Sequence, residues 1–110
     1  MPKSPRQQIT PSSGNVFADL NLADAAELHT KARLGAALCR IVAQKGLTQA
    51  EAGAMLGISQ PKVSDLLHYK LEGYSVERLM RFLVALGHDV EITVRPRPRS
   101  RSARIAVTAA

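Results

Sequence analysis

Polar side chains that could bind nucleic acid bases cluster in the segment GISQPKVSDLLH, residues 57–68. The amide of a glutamine such as Gln60 matches the N6 and N7 edge of adenine, a lysine can donate to guanine, and a carboxylate can accept from cytosine. A second glutamine, Gln49, precedes this segment. The residue types predict contacts with DNA, made by Thr48, Gln49, Ser59, Gln60, Pro61, Lys62, Ser64, Asp65, His68 and Lys70.

The same side chains give no support for catalysis or for a metal site. A triad of Ser64, Asp65 and His68 would share one helix, with no oxyanion donor and no pocket implied. The three histidines and the single cysteine, Cys39, lack the spacing of metal ligands. We therefore expect no enzymatic activity, no cofactor and no metal, and we expect Cys39 to be a small buried residue.

Two short helices joined by a tight turn are predicted to position these side chains. Helix one spans about 48–56, the turn 57–59 and helix two about 60–69. Gly57 permits the sharp turn, and apolar residues stand where the helices must meet, namely Leu56, Ile58, Val63 and Leu66. Gly53 lies inside helix one at a cost of about 1 kcal/mol relative to alanine, which predicts that helix two approaches its backbone closely.

Three helix starts share a hydroxyl-bearing N-cap residue that follows an apolar residue. The N-caps are Thr48, Ser59 and Ser75, and only Thr48 is followed by the acid, Glu51, that completes a capping box. A longer helix is predicted upstream, over residues 24–45. Its apolar face holds Leu34, Leu38, Ile41 and Val42.

The 3.6-residue period divides helix two into a buried face and an exposed face. The buried face is predicted to hold Val63, Leu66, Leu67 and the stem of Lys70. The exposed face holds Pro61, Asp65 and His68, with Lys62 and Ser64 at its margins. Three roles stay open for Asp65: an acceptor from cytosine N4, an i,i+3 partner that holds Lys62 for guanine, or a solvated surface residue.

The net charge of +6 comes from the two ends of the chain. Residues 15–94 hold 8 Lys and Arg against 9 Asp and Glu, whereas residues 95–110 hold five arginines and no acid. The high isoelectric point is therefore weak support for nucleic acid binding. The run RPRPRSRSAR predicts a disordered basic tail at residues 96–110, either solvated or in contact with DNA, and residues 1–14 are predicted to be a disordered N-terminal tail.

Alternating apolar residues near the C-terminus predict a short strand at residues 89–95, with Val90, Ile92 and Val94 on one face. A single strand needs a partner, which could be residues 15–20 of the same chain or the same strand of a second copy. A chain of 110 residues also has a small core. We therefore expect a homodimer with Val90, Ile92 and Val94 at its interface.

With these motifs, residues 28–88 resemble helix-turn-helix regulators of the lambda-repressor/Cro (XRE) type. The resemblance implies an all-α domain of about four to five helices, here with a short C-terminal strand, over residues 15–95. In that family a glutamine opens each motif helix; the first contacts a phosphate and orients the second, which contacts adenine. Gln49 and Gln60 occupy these positions. Pro61 departs from the family, because a hydrogen-bonding side chain is usual at its position.

The flanks GNVFADLNLADAAELHTKARL and YSVERLMRFLVALGHDVEITVRP extend the resemblance to residues 14–97 and to the small HigA-type antitoxins. That branch implies a RelE-like partner toxin that cleaves mRNA. It also implies that Val16, Phe17 and Leu20 belong to a toxin-binding segment. From the residues alone, these side chains could equally fold back on the domain as a hydrophobic staple.

The sequence thus predicts a repressor that binds a palindromic operator in double-stranded DNA as a homodimer. As the antitoxin of a toxin–antitoxin module, it would neutralise a RelE-like toxin and autoregulate its operon. Two alternatives stay open: a free-standing repressor without a toxin, and a protein-interaction module whose helix-turn-helix no longer binds DNA. No apolar run is long enough to span a membrane, and a single cysteine suits a reducing compartment, so we expect a bacterial cytoplasmic protein associated with the nucleoid.

Overall fold

The computed structural model describes residues 22–109, and this part of the chain contains four α-helices. Helix α1 spans Leu22–Lys45, α2 spans Gln49–Leu56, α3 spans Gln60–Leu67 and α4 spans Val76–Ala85. The predicted all-α class is confirmed.

None of the described helices is long and apolar enough to cross a membrane. The predicted N-terminal tail, residues 1–14, and the segment containing Val16, Phe17 and Leu20 lie outside the described residues.

The core forms where α1 packs on α4 and both meet the α2–α3 pair. All four apolar residues predicted on one face of α1 are buried. They belong to one cluster with Leu79, Phe82 and Leu83 of α4 and with Val63 and Leu66 of α3. Only these two side chains of α3 are fully buried, Leu67 packs partly against the cluster, and most of the remaining residues of the helix are exposed.

Hydrogen bonds at the helix starts set where α2 and α4 begin. Thr48 Oγ1 accepts from the N–H of Glu51 at 3.1 Å, and Glu51 Oε1 accepts from the N–H of Thr48 at 2.8 Å, which is the predicted capping box. Ser75 Oγ accepts from the N–H of Arg78 at 3.1 Å. The expectation of a third cap was wrong, because the Ser59 side chain accepts no capping hydrogen bond. Pro61 has no N–H, so Ser59 lacks one of the two donors that such a cap normally uses.

The predicted C-terminal strand is not formed within residues 22–109. Residues 88–98 have no regular secondary structure, and Ile92 and Val94 are 76% and 92% exposed. A strand is stabilised by hydrogen bonds to a neighbouring strand, and the described part of this chain supplies no such neighbour. The chain turns near residues 98–101 and returns to α1, where Arg33 Nη2 donates to the carbonyl of Val107 at 3.0 Å.

Candidate nucleic-acid interface

Contacts around Gly53 fix α3 against α2. The N–H groups of Gly57 and Ile58 both donate to the carbonyl of Gly53, at 2.8 and 3.0 Å. Gly57 has φ 74° and ψ 31°, the left-handed conformation that glycine adopts without steric cost. A Cβ atom at position 53 would lie 2.7 Å from the carbonyl oxygen of Ile58 and 3.4 Å from Val63 Cγ2. The close approach predicted at Gly53 is therefore confirmed.

Helix α3 presents one polar face to solvent. Val63 and Leu66 are only 1% and 3% exposed. Leu67 and Ser64 are half-buried, and the exposed residues at the start and on the outer face of the helix are Ser59, Gln60, Pro61, Lys62, Asp65 and His68. The predicted division between a buried and an exposed face is confirmed. Such a row of polar side chains on one helix has the dimensions that fit the major groove of B-DNA.

The end of α3 differs from the prediction. The helix ends at Leu67, because Tyr69 adopts a left-handed φ of 61° that interrupts the helical path. The stem of Lys70 was predicted to be buried, but Lys70 lies beyond the helix and is exposed. At the helix end, His68 Nδ1 lies 2.7 Å from the carbonyl oxygen of Ser64. This contact directs the imidazole to the backbone of α3.

The two glutamines open the two motif helices, as their positions predict. Gln49 is the first residue of α2 and is half-buried, whereas Gln60 is the first residue of α3 and is exposed. Within residues 22–109 no hydrogen bond joins their side chains. An interaction in which Gln49 orients Gln60 is therefore absent from this part of the free chain, and would have to form on DNA.

Within the described residues, no ion pair joins the Asp65 carboxylate to Lys62. Asp65, Lys62 and Lys70 nevertheless line one small surface cavity of about 340 Å³, together with Glu72, Gly73, Tyr74 and Arg78. Lys62 and Asp65 thus border the same cavity without being joined by an ion pair. All three roles of Asp65 remain predictions.

Arg78 is a basic residue beside α3 that the sequence did not single out for binding. Its guanidinium lies 5.1 Å from the centre of the Tyr74 ring and 5.5 Å from that of Phe82. The centres of the two rings lie 5.7 Å apart with the rings edge to face, and both rings hold the guanidinium by cation–π interactions. Aromatic residues four positions before and four positions after Arg78 were the available signal in the sequence.

Behind α3, Cys39 of α1 contacts the end of the helix. Its Sγ lies 3.8 Å from the carbonyl oxygen of Leu67, and the residue is half-buried, less than predicted. Burial raises the pKa of the Cys39 thiol, and a hydrogen bond with the Tyr69 side chain partly opposes that effect. The thiol is therefore neutral at pH 7 and acts as a packing group. The Tyr69 ring also lies against Gly35, where a Cβ would be 3.5 Å from Tyr69 Cδ1.

The described residues contain no cluster of three or more His, Cys, Asp or Glu side chains that could bind a metal ion. The polar groups that the structure gathers are those on and beside α3. These side chains supply hydrogen-bond donors, amides and cations on one surface. Cations and donors can contact phosphates, and amides can pair with base edges in a groove of DNA.

Comparisons with known proteins agree with this geometry. A family model described as "Helix-turn-helix domain" matches residues 16–95. A solved structure named "Putative XRE Family Transcriptional Regulator" is 59% identical, covers 79% of this chain and 99% of its own, and superposes with a TM-score of 0.76. No curated protein matches the chain. The family match includes both motif helices and the segment that follows α4.

Proposed function

We propose that this chain, which belongs to the helix-turn-helix domain family, represses transcription by binding a palindromic operator as a homodimer. It is an XRE-type helix-turn-helix regulator, and DNA is the ligand that this class of protein binds. The observation that carries the proposal is the exposed polar face of α3, held in place by the contacts around Gly53. A dimer would present two such helices to two half-sites of one operator.

Base contacts in this proposal come from the exposed side of α3. Gln60 pairs with adenine N6 and N7, and Lys62 donates to guanine. Pro61 can make only apolar contact, for which the thymine methyl group is the natural partner. We also assign DNA contacts to Ser64, which is half-buried on α3, and to His68, which is the first residue after the helix.

Phosphate contacts come from groups around the base-contacting face. Thr48 and Gln49 stand at the start of α2, and Ser59 at the start of α3. Since Ser59 does not cap the N–H of Lys62, that donor remains available for an anion at the positive end of the helix dipole. We assign further phosphate contacts to the exposed Lys70 and to Arg78, whose guanidinium is held against the rings of Tyr74 and Phe82.

We further infer that the protein is the antitoxin of a toxin–antitoxin module. The support is the resemblance of the flanks on both sides of the motif to HigA-type antitoxins. In this proposal Val16, Phe17 and Leu20 bind a RelE-like toxin, and the complex regulates its own operon. These residues precede α1, whereas the DNA-contacting residues begin at Thr48, so the two activities can be tested separately.

Selection from random duplexes tests the DNA-binding proposal. We expect the wild-type protein to enrich a palindromic site, and the double variant Gln60→Ala/Lys62→Ala to lose that enrichment. Arg81→Ala is the matched control, because it removes an exposed cation that pairs with Glu77 and does not line the cavity bordered by Lys62, Asp65 and Arg78. A wild-type protein that enriches no sequence would instead support the protein-interaction alternative.

Co-expression with the product of a neighbouring reading frame tests the antitoxin proposal. We expect a small basic neighbour to arrest growth, and this protein to relieve the arrest. Phe17→Ala/Leu20→Ala is expected to abolish relief while operator binding is retained. If no neighbouring product arrests growth, the protein is a free-standing repressor.

A further inference from the structure

The C-terminal strap, which we define as residues 88–109, leaves a large space between itself and the helices. It borders a cavity of about 1070 Å³ against α1 and α4. The helical wall is mostly apolar and includes Leu34, Ala37, Ile41, Val76, Met80 and Leu83. Leu34, Ala37, Ile41 and Leu83 are already buried in the single chain, so the apolar area that a partner could still cover on this wall belongs to the half-buried Val76 and Met80.

The first arm of the strap, residues 89–97, has unsatisfied backbone groups. Within the described residues, its N–H and C=O groups make no backbone hydrogen bond. Val90 is half-buried against the core, and the period of two in extended chain places Ile92 and Val94 on the same side. Those two apolar side chains are nevertheless 76% and 92% exposed. The arm therefore has the features of an edge strand without its neighbour.

We propose that the missing neighbour is the same arm of a second copy. The two arms would pair as antiparallel strands related by a two-fold axis that passes between the two Ile92 residues. The sequence of this arm, DVEITVR, is complementary to itself in that register. Ile92 faces Ile92 of the second copy, Val90 faces Val94, and Asp89 faces Arg95. Two apolar pairs and two opposite-charge pairs thus accompany the central isoleucine pair, and each type stabilises adjacent antiparallel strands.

Neighbouring registers are less favourable. An axis at Glu91 would place the two Glu91 carboxylates opposite each other, and like charges in directly opposed positions are destabilising. An axis at Thr93 would place Pro96 opposite Val90, inside the paired region, where proline cannot donate a hydrogen bond. Only the axis at Ile92 pairs residues 89–95 throughout without these penalties.

This inference rests on the homodimer of the proposed function and specifies where the two copies meet. The paired strands would bring Val90, Ile92 and Val94 from both chains over the part of this wall that is still exposed, at Val76 and Met80. The surface is separate from the exposed face of α3, whose residues do not line this cavity. Loss of strand pairing and loss of base contacts can therefore be distinguished.

Cysteine cross-linking in the full-length chain tests the register. In a Cys39→Ser background, residues at a two-fold axis are brought within the Cα separation of about 4.4–6.8 Å that a disulfide allows. We expect Ile92→Cys to form a covalent dimer under mild oxidation at least about tenfold faster than Thr93→Cys, which directs its side chain to the opposite side of the strand. Faster cross-linking of Thr93→Cys would overturn the assigned register.

Charge exchange provides a second measurement that does not depend on oxidation. We expect Asp89→Arg or Arg95→Asp to weaken dimerisation about tenfold in sedimentation, since each introduces two like-charge pairs, and the double exchange to restore it. A dimer that is insensitive to all three variants, and in which Ile92→Cys does not cross-link, would overturn the strand interface but leave the proposed dimer intact. A wild-type monomer would overturn both.

Discussion

Gly53 shows how a single residue controls the spacing of the two motif helices. Replacement by alanine would improve helix propensity by about 1 kcal/mol, but the new Cβ would lie 2.7 Å from a backbone oxygen that no side-chain motion can relieve. Overpacking of this kind typically costs about 1–3 kcal/mol. We expect Gly53→Ala to lower the free energy of unfolding by about that amount, measured by chemical denaturation.

Gly73→Ala is the matched control for this prediction. No atom lies within 4 Å of a Cβ at Gly73, and its φ is not in the left-handed region. We expect its unfolding free energy to change by less than about 0.5 kcal/mol. Equal effects of the two variants would contradict the close approach at Gly53.

The two glutamines are expected to differ in what they contribute to DNA binding. Gln60→Ala should weaken operator binding by about 1–3 kcal/mol and relax the preference at one base position in each half-site. Gln49→Ala should weaken operator and random duplex more evenly, because a phosphate contact carries no sequence information. Titrations with an operator and with single-base variants of it measure both effects. If Gln60→Ala binds the operator with unchanged affinity, Gln60 does not contact a base.

Asp65 and Lys62 are expected to reveal their relation only when DNA is bound, since no ion pair joins them in the free protein. If Asp65 positions Lys62, a double-mutant cycle of Asp65→Ala and Lys62→Ala on operator binding will show effects that do not add. If Asp65 accepts from cytosine, its replacement will remove the preference at one C·G pair only. A uniform gain in affinity for all duplexes would show that Asp65 acts only through its negative charge.

Single residues could be predicted where local spacing decides their position. The burial of Val63 and Leu66 follows from the helical period, and the lack of a side chain at Gly53 indicated a close neighbour. The contact of Arg78 with Phe82 follows from their i,i+4 spacing on α4, but its contact with Tyr74 depends on how the segment before α4 packs on the helix, which local spacing does not determine. The left-handed φ of Tyr69 likewise depends on contacts with α1, where Gly35 leaves room for its ring.

At the scale of elements, the starts of α2 and α3 are stabilised differently. Thr48 forms both hydrogen bonds of a capping box, whereas the Ser59 side chain forms no capping bond. We expect Thr48→Ala to lower the unfolding free energy by about 1 kcal/mol and Ser59→Ala to change it by only a few tenths. Thermal denaturation of the two variants measures this contrast. A comparable loss in Ser59→Ala would show that a cap forms in solution.

Helices were easier to predict than the strand for a physical reason. A helix satisfies its hydrogen bonds within one segment, so its start and end are recorded in caps and in periodicity. The alternation at residues 89–95 is equally clear, yet a strand forms only where a second strand supplies donors and acceptors. The alternation therefore indicates that residues 89–95 can form a strand when a second strand pairs with them. Within residues 22–109 no such second strand is present.

For the whole molecule, the separation of charge predicts how affinity and specificity are divided. The arginines that follow residue 95 are expected to contact phosphates and release counterions, each changing the log–log salt slope of binding by about 0.9. We expect replacement of Arg97, Arg99, Arg101 and Arg104 by glutamine to flatten that slope and to weaken binding to operator and random duplex alike. Titrations at several salt concentrations measure the slopes.

Removal of the N-terminal cations in Lys3→Gln/Arg6→Gln is the control for charge loss away from this tail. An unchanged slope in the tail variant would show that the tail does not touch DNA in the complex. A loss confined to the operator would show that the tail contacts a groove and contributes to specificity.

The rigid junction at Gly53 has a consequence for reprogramming the protein. The residues that hold α3 in place, Val63 and Leu66 inside and the turn behind them, are different from the residues at positions 60, 62 and 65 on its outer surface. A library restricted to those three outer positions would therefore vary the contacts offered to a half-site while leaving the buried contacts of the scaffold unchanged. Regulators that bind new operators could be obtained from this chain in that way, with different contact residues on the same folded scaffold.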